Sequence, residues 1–373
     1  MEHKQIVLSG DDVKNKLDTV LSESGLKNVL LVCGHSISHL KWDGYFSSLK
    51  DRLGIRVHRF YDFEVNPSYE AVIRGVNELK STGSGGIIAA GGGSAIDTAK
   101  CIKLFSDMDI TENCLDQKII PNNIPLYVIP TTAGSGSEAT QFAVIYKEGK
   151  KRSVSDPSLI PSTVVHDPSV LKSLPHKQKA ATLMDAVCHS IESMWSLLST
   201  EENSGYAADA LTLLWKNADR YLESDENTFE EVQYAAYMAG KAINISRTTA
   251  GHAMCYKITT TYGIPHGAAA ALCVSELWKR MLEPSMECTD PKGISHISEI
   301  LHRIASCMGK EEPTDAQKEF EKKVRECVID IPHGLSDIEI DRLTRSVNAE
   351  RMKNYPFRLT KEQIQDIYRS IFI

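Results

Sequence analysis

Two side chains one helical turn apart, Asp185 and His189, are the pair in this sequence best placed to do chemistry. On an α-helix the i, i+4 spacing points both to one face, close enough to bind one ion. His252 and His266 follow later in the chain, and three imidazoles with one carboxylate suit a borderline divalent metal such as Fe(II) or Zn(II). A carboxylate and a histidine at this spacing also occur by chance, so the pair alone is weak evidence. The four residues together predict a metal site and therefore an enzyme.

Length and composition indicate a globular protein of two domains. The chain has 373 residues, of which 42% are hydrophobic and 24% charged, and this excludes disordered and fibrous classes. A net charge of -7 without a basic stripe excludes nucleic acid as a partner. We find no signal peptide and no run of about eighteen apolar residues, so we expect a cytoplasmic protein without a membrane partner. The nine cysteines lack Cys-x-x-Cys spacing, and we expect them to be reduced.

The first half of the chain alternates apolar runs with amphipathic helical patterns, which is typical of a parallel α/β sheet. The predicted strands are 28–32, 56–61, 86–90 and 126–129, followed by a hairpin of 142–146 and 151–155. Helical periodicity takes over after Asp167-Pro168. We therefore predict an α/β dinucleotide-binding domain with a parallel sheet over residues 1–168 and an all-helical, metal-binding domain over residues 169–373.

Two segments rich in small residues each follow a predicted strand. Gly91-Gly92-Gly93-Ser94 opens a helix, where glycines let the backbone approach a pyrophosphate and the helix presents free N–H groups. Its spacing is not the Gly-x-Gly-x-x-Gly of ordinary dinucleotide folds, and a tight structural turn is the alternative. The segment 130–140 is dense in hydroxyl side chains that can hydrogen-bond ribose, phosphate or amide groups. Taken alone, it is also compatible with a flexible loop.

The chain resembles the iron-containing (group III) alcohol dehydrogenases over nearly its whole length. The motifs that carry the resemblance are, in this order, these two segments, the Asp-x3-His pair, and the histidines of Gly-His and Pro-His-Gly. The resemblance implies the fold shared with dehydroquinate synthase, with a cleft between the two domains for metal and nicotinamide. It implies a divalent metal, with Fe(II) favoured and Zn(II) the alternative, on Asp185, His189, His252 and His266. The residues that it implies for the cofactor are Gly91, Gly92, Gly93, Ser94, Asp97, Thr131, Thr132, Ser135 and Lys151. For the last of these, a solvated hairpin lysine is the alternative.

The sequence departs from the family pattern at two places. Many relatives have a histidine near the nicotinamide four residues after the third metal ligand, whereas this chain has Tyr256. Its phenol can donate a hydrogen bond or relay a proton, but it is a poor base at neutral pH. NAD-preferring relatives often carry an aspartate after the first strand, whereas this chain has Gly34-His35-Ser36. Without that carboxylate, the site would not repel a 2'-phosphate, and His35 or Ser36 could bind one, so we include Gly34, His35 and Ser36 among the predicted cofactor residues. We therefore predict NADPH over NADH.

The expected reaction is hydride transfer from the cofactor to a small aldehyde whose carbonyl the metal polarises. Arg247 and Lys257 flank a predicted ligand, and arginine can bind an anionic group bidentately, so a phosphonate or carboxylate substrate is one interpretation. Cations on a helix surface are the alternative. The stretch 241–257 also resembles family members that reduce phosphonoacetaldehyde to 2-hydroxyethylphosphonate in phosphonate biosynthesis. The competing substrates are small neutral aldehydes or diols, such as lactaldehyde and 3-hydroxypropanal.

Other functions fit the sequence less well. Glycerol dehydrogenases and dehydroquinate synthase share the implied fold, but the segment 130–138 with this ligand set matches the alcohol dehydrogenases better. A non-enzymatic binding protein would leave the four predicted ligands and both cofactor segments without a role. The extended segment Gln5–Ser9 predicts an edge strand, and its pairing across two subunits would make the protein a homodimer or a higher homo-oligomer.

Overall fold

The computed structural model describes residues 5–283, 286–328 and 331–372. Their contacts divide the chain into two compact units. The first unit comprises Met1–Thr132 and Ser137–Lys172, and the second comprises Ala133–Gly136 and Ser173–Ile373. The assignment of dinucleotide binding to residues 1–168 and of metal binding to residues 169–373 stays a prediction.

The first unit is built on a six-stranded parallel sheet with the strand order β1-β8-β5-β4-β2-β3. Its strands are β1 Ile6–Leu8, β2 Asn28–Cys33, β3 Arg56–Phe60, β4 Gly86–Gly91, β5 Leu126–Pro130 and β8 Thr163–Val165. The strands β2, β4 and β5 are buried almost throughout, because helices cover the faces of a parallel sheet. A separate antiparallel hairpin pairs β6 Phe142–Lys147 with β7 Lys150–Ser155.

Helices connect the strands of the first unit. They are α1 Val13–Glu23, α2 Lys41–Leu53, α3 Tyr69–Ser81 and α4 Gly93–Phe105. The helix α4 is buried on nearly every side and includes a buried lysine, Lys100. The ammonium of Lys100 donates to the carbonyl oxygens of Ser137 (2.6 Å), Thr140 (2.6 Å) and Phe142 (2.8 Å). The Lys100 ammonium therefore holds the segment after β5 against α4 through these hydrogen bonds.

The predicted strands and the hairpin are confirmed to within one residue at each end. The sequence analysis did not identify β8, and it gave the segment around β1 only as a possible dimer edge. Both strands have three residues, which is too short for a period of two to be visible. In the structure, β1 forms one edge of the sheet and pairs with β8 of the same chain. Pairing of this edge across two subunits stays a prediction.

Among its described residues, the second unit has helices joined by loops and no strand beyond an isolated bridge between Cys288 and Phe357. Its helices are α5 His176–Trp195, α6 Glu201–Leu222, α7 Phe229–Ser246, α8 Ala250–Tyr262, α9 His266–Met281, α10 Ile294–Cys307, α11 Pro313–Cys327, α12 Asp337–Arg345, α13 Ala349–Met352 and α14 Lys361–Ile371. The helix α5 lies at the centre and packs against α6, α7 and α9. None of the helices in the described part of the chain is long and apolar enough to cross a membrane.

Candidate functional site

The central helix α5 carries two polar side chains that are buried on one face. Asp185 and His189 are 6% and 5% exposed, and Asp185 Oδ1 lies 3.9 Å from His189 Nε2. An ionised carboxylate is costly to bury unless it is paired or binds a metal. Within the described residues, the charged or chargeable groups in contact with Asp185 are imidazoles rather than lysine or arginine. The arrangement therefore resembles a metal ligand more than a structural ion pair.

The helix α8 brings a third side chain to this pair. The ring of His252 stacks on that of His189 with centroids 4.6 Å apart, and its Nε2 lies 3.3 Å from Asp185 Oδ1. One possible ligand atom from each of these three residues lies within 4.8 Å of the other two. A single ion can therefore contact all three after small side-chain adjustments, since metal–ligand distances are about 2.0–2.2 Å.

His266, the fourth predicted ligand, is the first residue of α9 and lies beside this trio. Its ring centroid is 5.4 Å from that of His252. The position depends on Gly267, because a Cβ there would clash with the Ala181 carbonyl oxygen and lie 2.5 Å from the Asp185 Cβ. His266 is partly exposed while the other three residues are buried. The open side of the set is therefore the side of His266.

Glu192, which the sequence analysis missed, orients His252. The fully buried Glu192 carboxylate contacts His252 Nδ1. It also accepts hydrogen bonds from the Thr249 hydroxyl (2.6 Å) and the backbone N–H groups of Thr249 (3.0 Å) and Gly251 (2.9 Å). A carboxylate on one ring nitrogen directs the other toward the metal position. The pattern that identifies it is Asp-x3-His-x2-Glu, which places all three side chains on one face of α5.

The protonation states of Asp185 and His189 suit a divalent cation, whereas His252 must lose a proton before it can bind one. Burial raises the pKa of Asp185, but the imidazoles of His189, His252 and His266 outweigh it and hold that pKa below its usual range. Burial lowers the pKa of His189 to about 4 despite the nearby carboxylate, so this ring is neutral at neutral pH. For His252, burial is outweighed by the charge of Glu192, which raises the pKa to about 9. An ionised carboxylate and a neutral imidazole are the forms that bind metals.

The three predicted substrate residues differ in their relation to this set. The ring of Tyr256 stacks on that of His266 with centroids 5.4 Å apart, and its hydroxyl accepts a hydrogen bond from Arg351. Arg247 is exposed at the C-terminal end of α7, close in sequence to α8. Lys257 follows Tyr256 on α8, and at about 100° per residue it lies on a different face from His252. The structure thus brings Tyr256, but not Lys257, to the ligand side of α8.

The residues predicted for the cofactor in the first unit collect at one edge of the sheet. The ends of β2, β4 and β5 are in register, with Cys33 beside Ala90 and Gly91 beside Pro130. The residues that follow these ends are Gly34, His35 and Ser36, then Gly92, Gly93 and Ser94, then Thr131 and Thr132. A Cβ on Gly92 would lie 3.2 Å from the Thr132 hydroxyl, so the two loops pack closely. The carboxyl edge of a parallel sheet is where nucleotides bind in open α/β folds.

Asp97, Lys151 and Ser135, also predicted for the cofactor, do not directly follow these strand ends in sequence. The Asp97 carboxylate accepts hydrogen bonds from the Ser137 hydroxyl (2.6 Å) and the Val144 N–H (3.0 Å), so it holds the loop after β5 in place. Burial raises the pKa of Asp97, and the charges of Lys100 and Lys151 oppose that effect. Lys151 is therefore near Asp97. Ser135 belongs to the four residues of this loop that cluster with the second unit.

Family models match both parts of the chain. The model described as iron-containing alcohol dehydrogenase matches residues 4–168, and the model of the C-terminal part of the Fe-containing alcohol dehydrogenase family matches residues 179–372. The chain belongs to the iron-containing alcohol dehydrogenase family. It is therefore an oxidoreductase acting on CH–OH groups, in a family that uses a divalent metal and NAD(P). The predicted family, fold class and enzyme class are confirmed.

Relatives within this alcohol dehydrogenase family differ in their substrates. A phosphonoacetaldehyde reductase of Streptomyces viridochromogenes is 29% identical over 74% of this chain and 73% of its own length. Alcohol dehydrogenase 4 of Schizosaccharomyces pombe is 28% identical over 93% of this chain and 83% of its own length. The fold matches that of a sulfoacetaldehyde reductase from Bifidobacterium kashiwanohense solved with NAD+, with a TM-score of 0.86, 23% identity and coverage of 98% and 96% of the two chains.

Gly267→Ala should weaken metal binding although it removes no ligand. The added Cβ would push α9 away from α5, since it would lie 2.9 Å from the Asp185 backbone nitrogen and 2.5 Å from its Cβ. Outer-shell changes of this kind typically cost about 10–100-fold in metal affinity. We expect a rise of at least about tenfold in the Zn(II) dissociation constant, measured by competition with a chromophoric chelator.

The matched control is Gly205→Ala in α6, where an added Cβ meets no atom within 4 Å. This variant should bind Zn(II) as the unaltered protein does. Equal affinity of the two variants, with both folded by circular dichroism, would show that the approach of α9 to α5 does not set the metal site.

Proposed function

We propose that this alcohol dehydrogenase uses NADPH and a divalent metal to reduce short aldehydes that carry an anionic group, with phosphonoacetaldehyde as the best candidate. The observation that carries the choice of an anionic substrate is Arg247. Arg247 lies five residues before the predicted ligand His252, and it has a positive φ that an arginine rarely adopts.

Asp185, His189, His252 and His266 would hold the metal, because they bring together one carboxylate and three imidazoles, with the first three side chains buried. A divalent ion bound there supplies Lewis acidity toward a carbonyl oxygen, and the reduced nicotinamide supplies hydride. Because Asp185, His189 and His252 are buried, water would be excluded from the side of the metal that these three residues bind. The partly exposed His266 leaves the substrate one direction of approach.

Tyr256 lies at that open side, stacked on His266. Arg351 donates to the oxygen of the Tyr256 hydroxyl, so the hydroxyl hydrogen is directed elsewhere. Tyr256 can therefore donate a hydrogen bond to the oxygen of an aldehyde or alcohol. In this proposal Tyr256 is a donor that orients the substrate, and a proton relay through it stays a prediction.

Arg247 is held in a conformation that is nearly reserved for glycine. Its φ is 59° and its ψ is 176°, a combination that costs a non-glycine residue about 1–3 kcal/mol. The surrounding structure imposes it. The carbonyl oxygen of Ser246 accepts from Ser196 Oγ (2.8 Å) and Asn354 Nδ2 (2.9 Å), and the Thr248 carbonyl accepts from the same Asn354 amide (3.2 Å). Because glycine would be easier to place here, the arginine side chain is best explained by function.

The substrate class follows from the chemistry of Arg247. A guanidinium presents a planar fork of N–H donors that matches the oxygens of a phosphonate, sulfonate or carboxylate. Within the described residues the Arg247 side chain has no carboxylate partner. The phosphonoacetaldehyde reductase among the relatives supports phosphonate as the anion. Neutral aldehydes such as lactaldehyde and 3-hydroxypropanal remain the competing substrates.

Arg247→Gly should separate substrate recognition from stability. We expect kcat/KM for phosphonoacetaldehyde to fall at least about tenfold, because a charge-assisted hydrogen bond contributes about 1.5–3 kcal/mol. The value for propanal, followed through NADPH absorbance at 340 nm, should stay within about twofold, and the unfolding temperature should not fall since glycine relieves the strained φ.

The matched control is Glu148→Gly, since the exposed Glu148 also has a positive φ of 53°. It should be as stable as the unaltered protein and equally active toward both aldehydes. An unaltered enzyme that reduces propanal as efficiently as phosphonoacetaldehyde would contradict the anionic substrate.

The NADPH preference rests on the residues that follow β2. His35 and Ser36 are exposed there, and none of Gly34, His35 and Ser36 carries a carboxylate. His35 stacks on Tyr61 with centroids 4.8 Å apart, and the Tyr61 hydroxyl accepts from Arg59 (3.0 Å). Neutral and cationic groups at this position accept a 2'-phosphate, which an aspartate would repel.

His35→Asp should therefore reverse the cofactor preference. We expect kcat/KM to favour NADPH in the unaltered enzyme and to favour NADH in the variant, because the new carboxylate repels the 2'-phosphate and can accept from the ribose 2'-hydroxyl. His39→Asp, an exposed change in the same short 3-10 helix, should keep the original preference. An unaltered enzyme that favours NADH by tenfold or more would refute this part of the proposal.

The remaining functional expectations stay predictions. They are a homodimer or higher homo-oligomer, a cytoplasmic location and a place in phosphonate biosynthesis.

A further inference from the structure

Arg351, on the short helix α13, lies in a stack that leads to the predicted metal ligands. Its guanidinium carbon is 5.1 Å from the centroid of the Tyr256 ring, and Tyr256 in turn stacks on His266 with ring planes 7° apart. Arg351 Nη1 donates to the Tyr256 hydroxyl and to Thr248 Oγ1 (3.3 Å). One aromatic ring therefore separates this cation from His266.

Arg351 forms no ion pair with any residue that the structure describes, although it is only partly exposed. Its cationic neighbours do form ion pairs: Lys353 with Glu350 (2.7 Å) and Arg358 with Glu287 (3.3 Å). The hydrogen bonds of Arg351 to other side chains all use Nη1, so Nε and Nη2 have no partner in the described part of the chain. These two nitrogens form the fork that binds an oxyanion bidentately.

The segment that carries Arg351 is fixed by other residues. The Asn348 side chain caps α13 by accepting from the backbone N–H groups of Glu350 and Arg351, both at 3.1 Å. The Asn354 side chain is buried and bonds the carbonyl oxygens of Ser246 and Thr248. The fold of this segment therefore does not require the Arg351 guanidinium, whereas its position beside Thr248 and Tyr256 is well defined.

We propose that Arg351 binds the anionic group of the substrate and, together with Arg247, determines the specificity for short anionic aldehydes. This inference rests on the proposed function, since it assigns the residue that recognises the anion. Asn354 ties the Arg351 segment to the backbone on both sides of Arg247, so the two arginines belong to one connected segment of the second unit. Tyr256, between Arg351 and His266, sets the distance from anion to carbonyl and favours an aldehyde with the anionic group on the adjacent carbon.

The test replaces Arg351 by glutamine and by lysine and compares two aldehydes of similar size. Arg351→Gln should raise KM for phosphonoacetaldehyde about 10–100-fold, because it removes a bidentate, charge-assisted contact. The kcat/KM for propanal should fall less than that for phosphonoacetaldehyde, because the lost Arg351 contact to Tyr256 affects both aldehydes whereas only phosphonoacetaldehyde also loses its anion contact. The metal content should stay unchanged. Arg351→Lys, which keeps the charge but loses the fork, should show an intermediate KM. Arg358→Gln is the matched control, because this exposed arginine of the same segment already pairs with Glu287.

A binding measurement separates this inference from the proposed reaction. Ethylphosphonate has no carbonyl, and its dissociation constant, measured by calorimetry on the metal-loaded protein, should rise at least about tenfold in Arg351→Gln and stay unchanged in Arg358→Gln. Equal ethylphosphonate affinity in the unaltered protein and Arg351→Gln would overturn the role of Arg351, as would equal losses for both aldehydes. Arg351-dependent binding without preferential turnover of phosphonoacetaldehyde would support the anion site and overturn the proposed substrate.

Discussion

The buried carboxylate of Glu192 is the interaction on which the second unit's site depends. Its desolvation must be compensated, and the compensation comes from the first turn of α8: the N–H groups of Thr249 and Gly251, the Thr249 hydroxyl and the His252 ring. Gly251 permits this approach, since a Cβ there would lie 3.1 Å from Glu192 Oε1. One side chain of α5 thus fixes where α8 begins and which nitrogen of His252 faces Asp185.

Buried polar groups that satisfy one another's hydrogen bonds also connect the metal ligands to the proposed anion site. Trp195 donates to Thr249 Oγ1 (2.9 Å). In the adjacent segment the buried Ser196 hydroxyl donates to the Ser246 carbonyl and to Asn354 Oδ1, and the Asn354 amide donates to the same carbonyl. Removing one partner would leave the others buried without hydrogen bonds, which costs about 1–3 kcal/mol for each group. This network is rigid enough to keep Arg247 in a strained conformation.

Much of the fold was predictable from the sequence because its evidence is local. Apolar runs identified the central strands, and the i, i+4 spacing of Asp185 and His189 placed them on one helical face. Glu192 shares that face, but its spacing does not reveal its role, because its partner His252 lies on another helix and a buried glutamate resembles a surface one in sequence. Arg351 was missed for the same reason, since it meets Tyr256 only after α13 packs beside α8.

X-ray absorption of the protein loaded with one equivalent of Zn(II) tests the predicted ligand set most directly. The account predicts nitrogen and oxygen donors at about 2.0–2.2 Å, with the outer-shell scattering of three imidazoles and none from sulfur, and loss of one imidazole in His266→Ala. Cys188 is adjacent to His189, and Cys255 lies about one turn after His252. The spectrum must therefore distinguish sulfur ligands from nitrogen and oxygen ligands. A sulfur shell at about 2.3 Å, or a spectrum unchanged in His266→Ala, would contradict the assignment of Asp185, His189, His252 and His266.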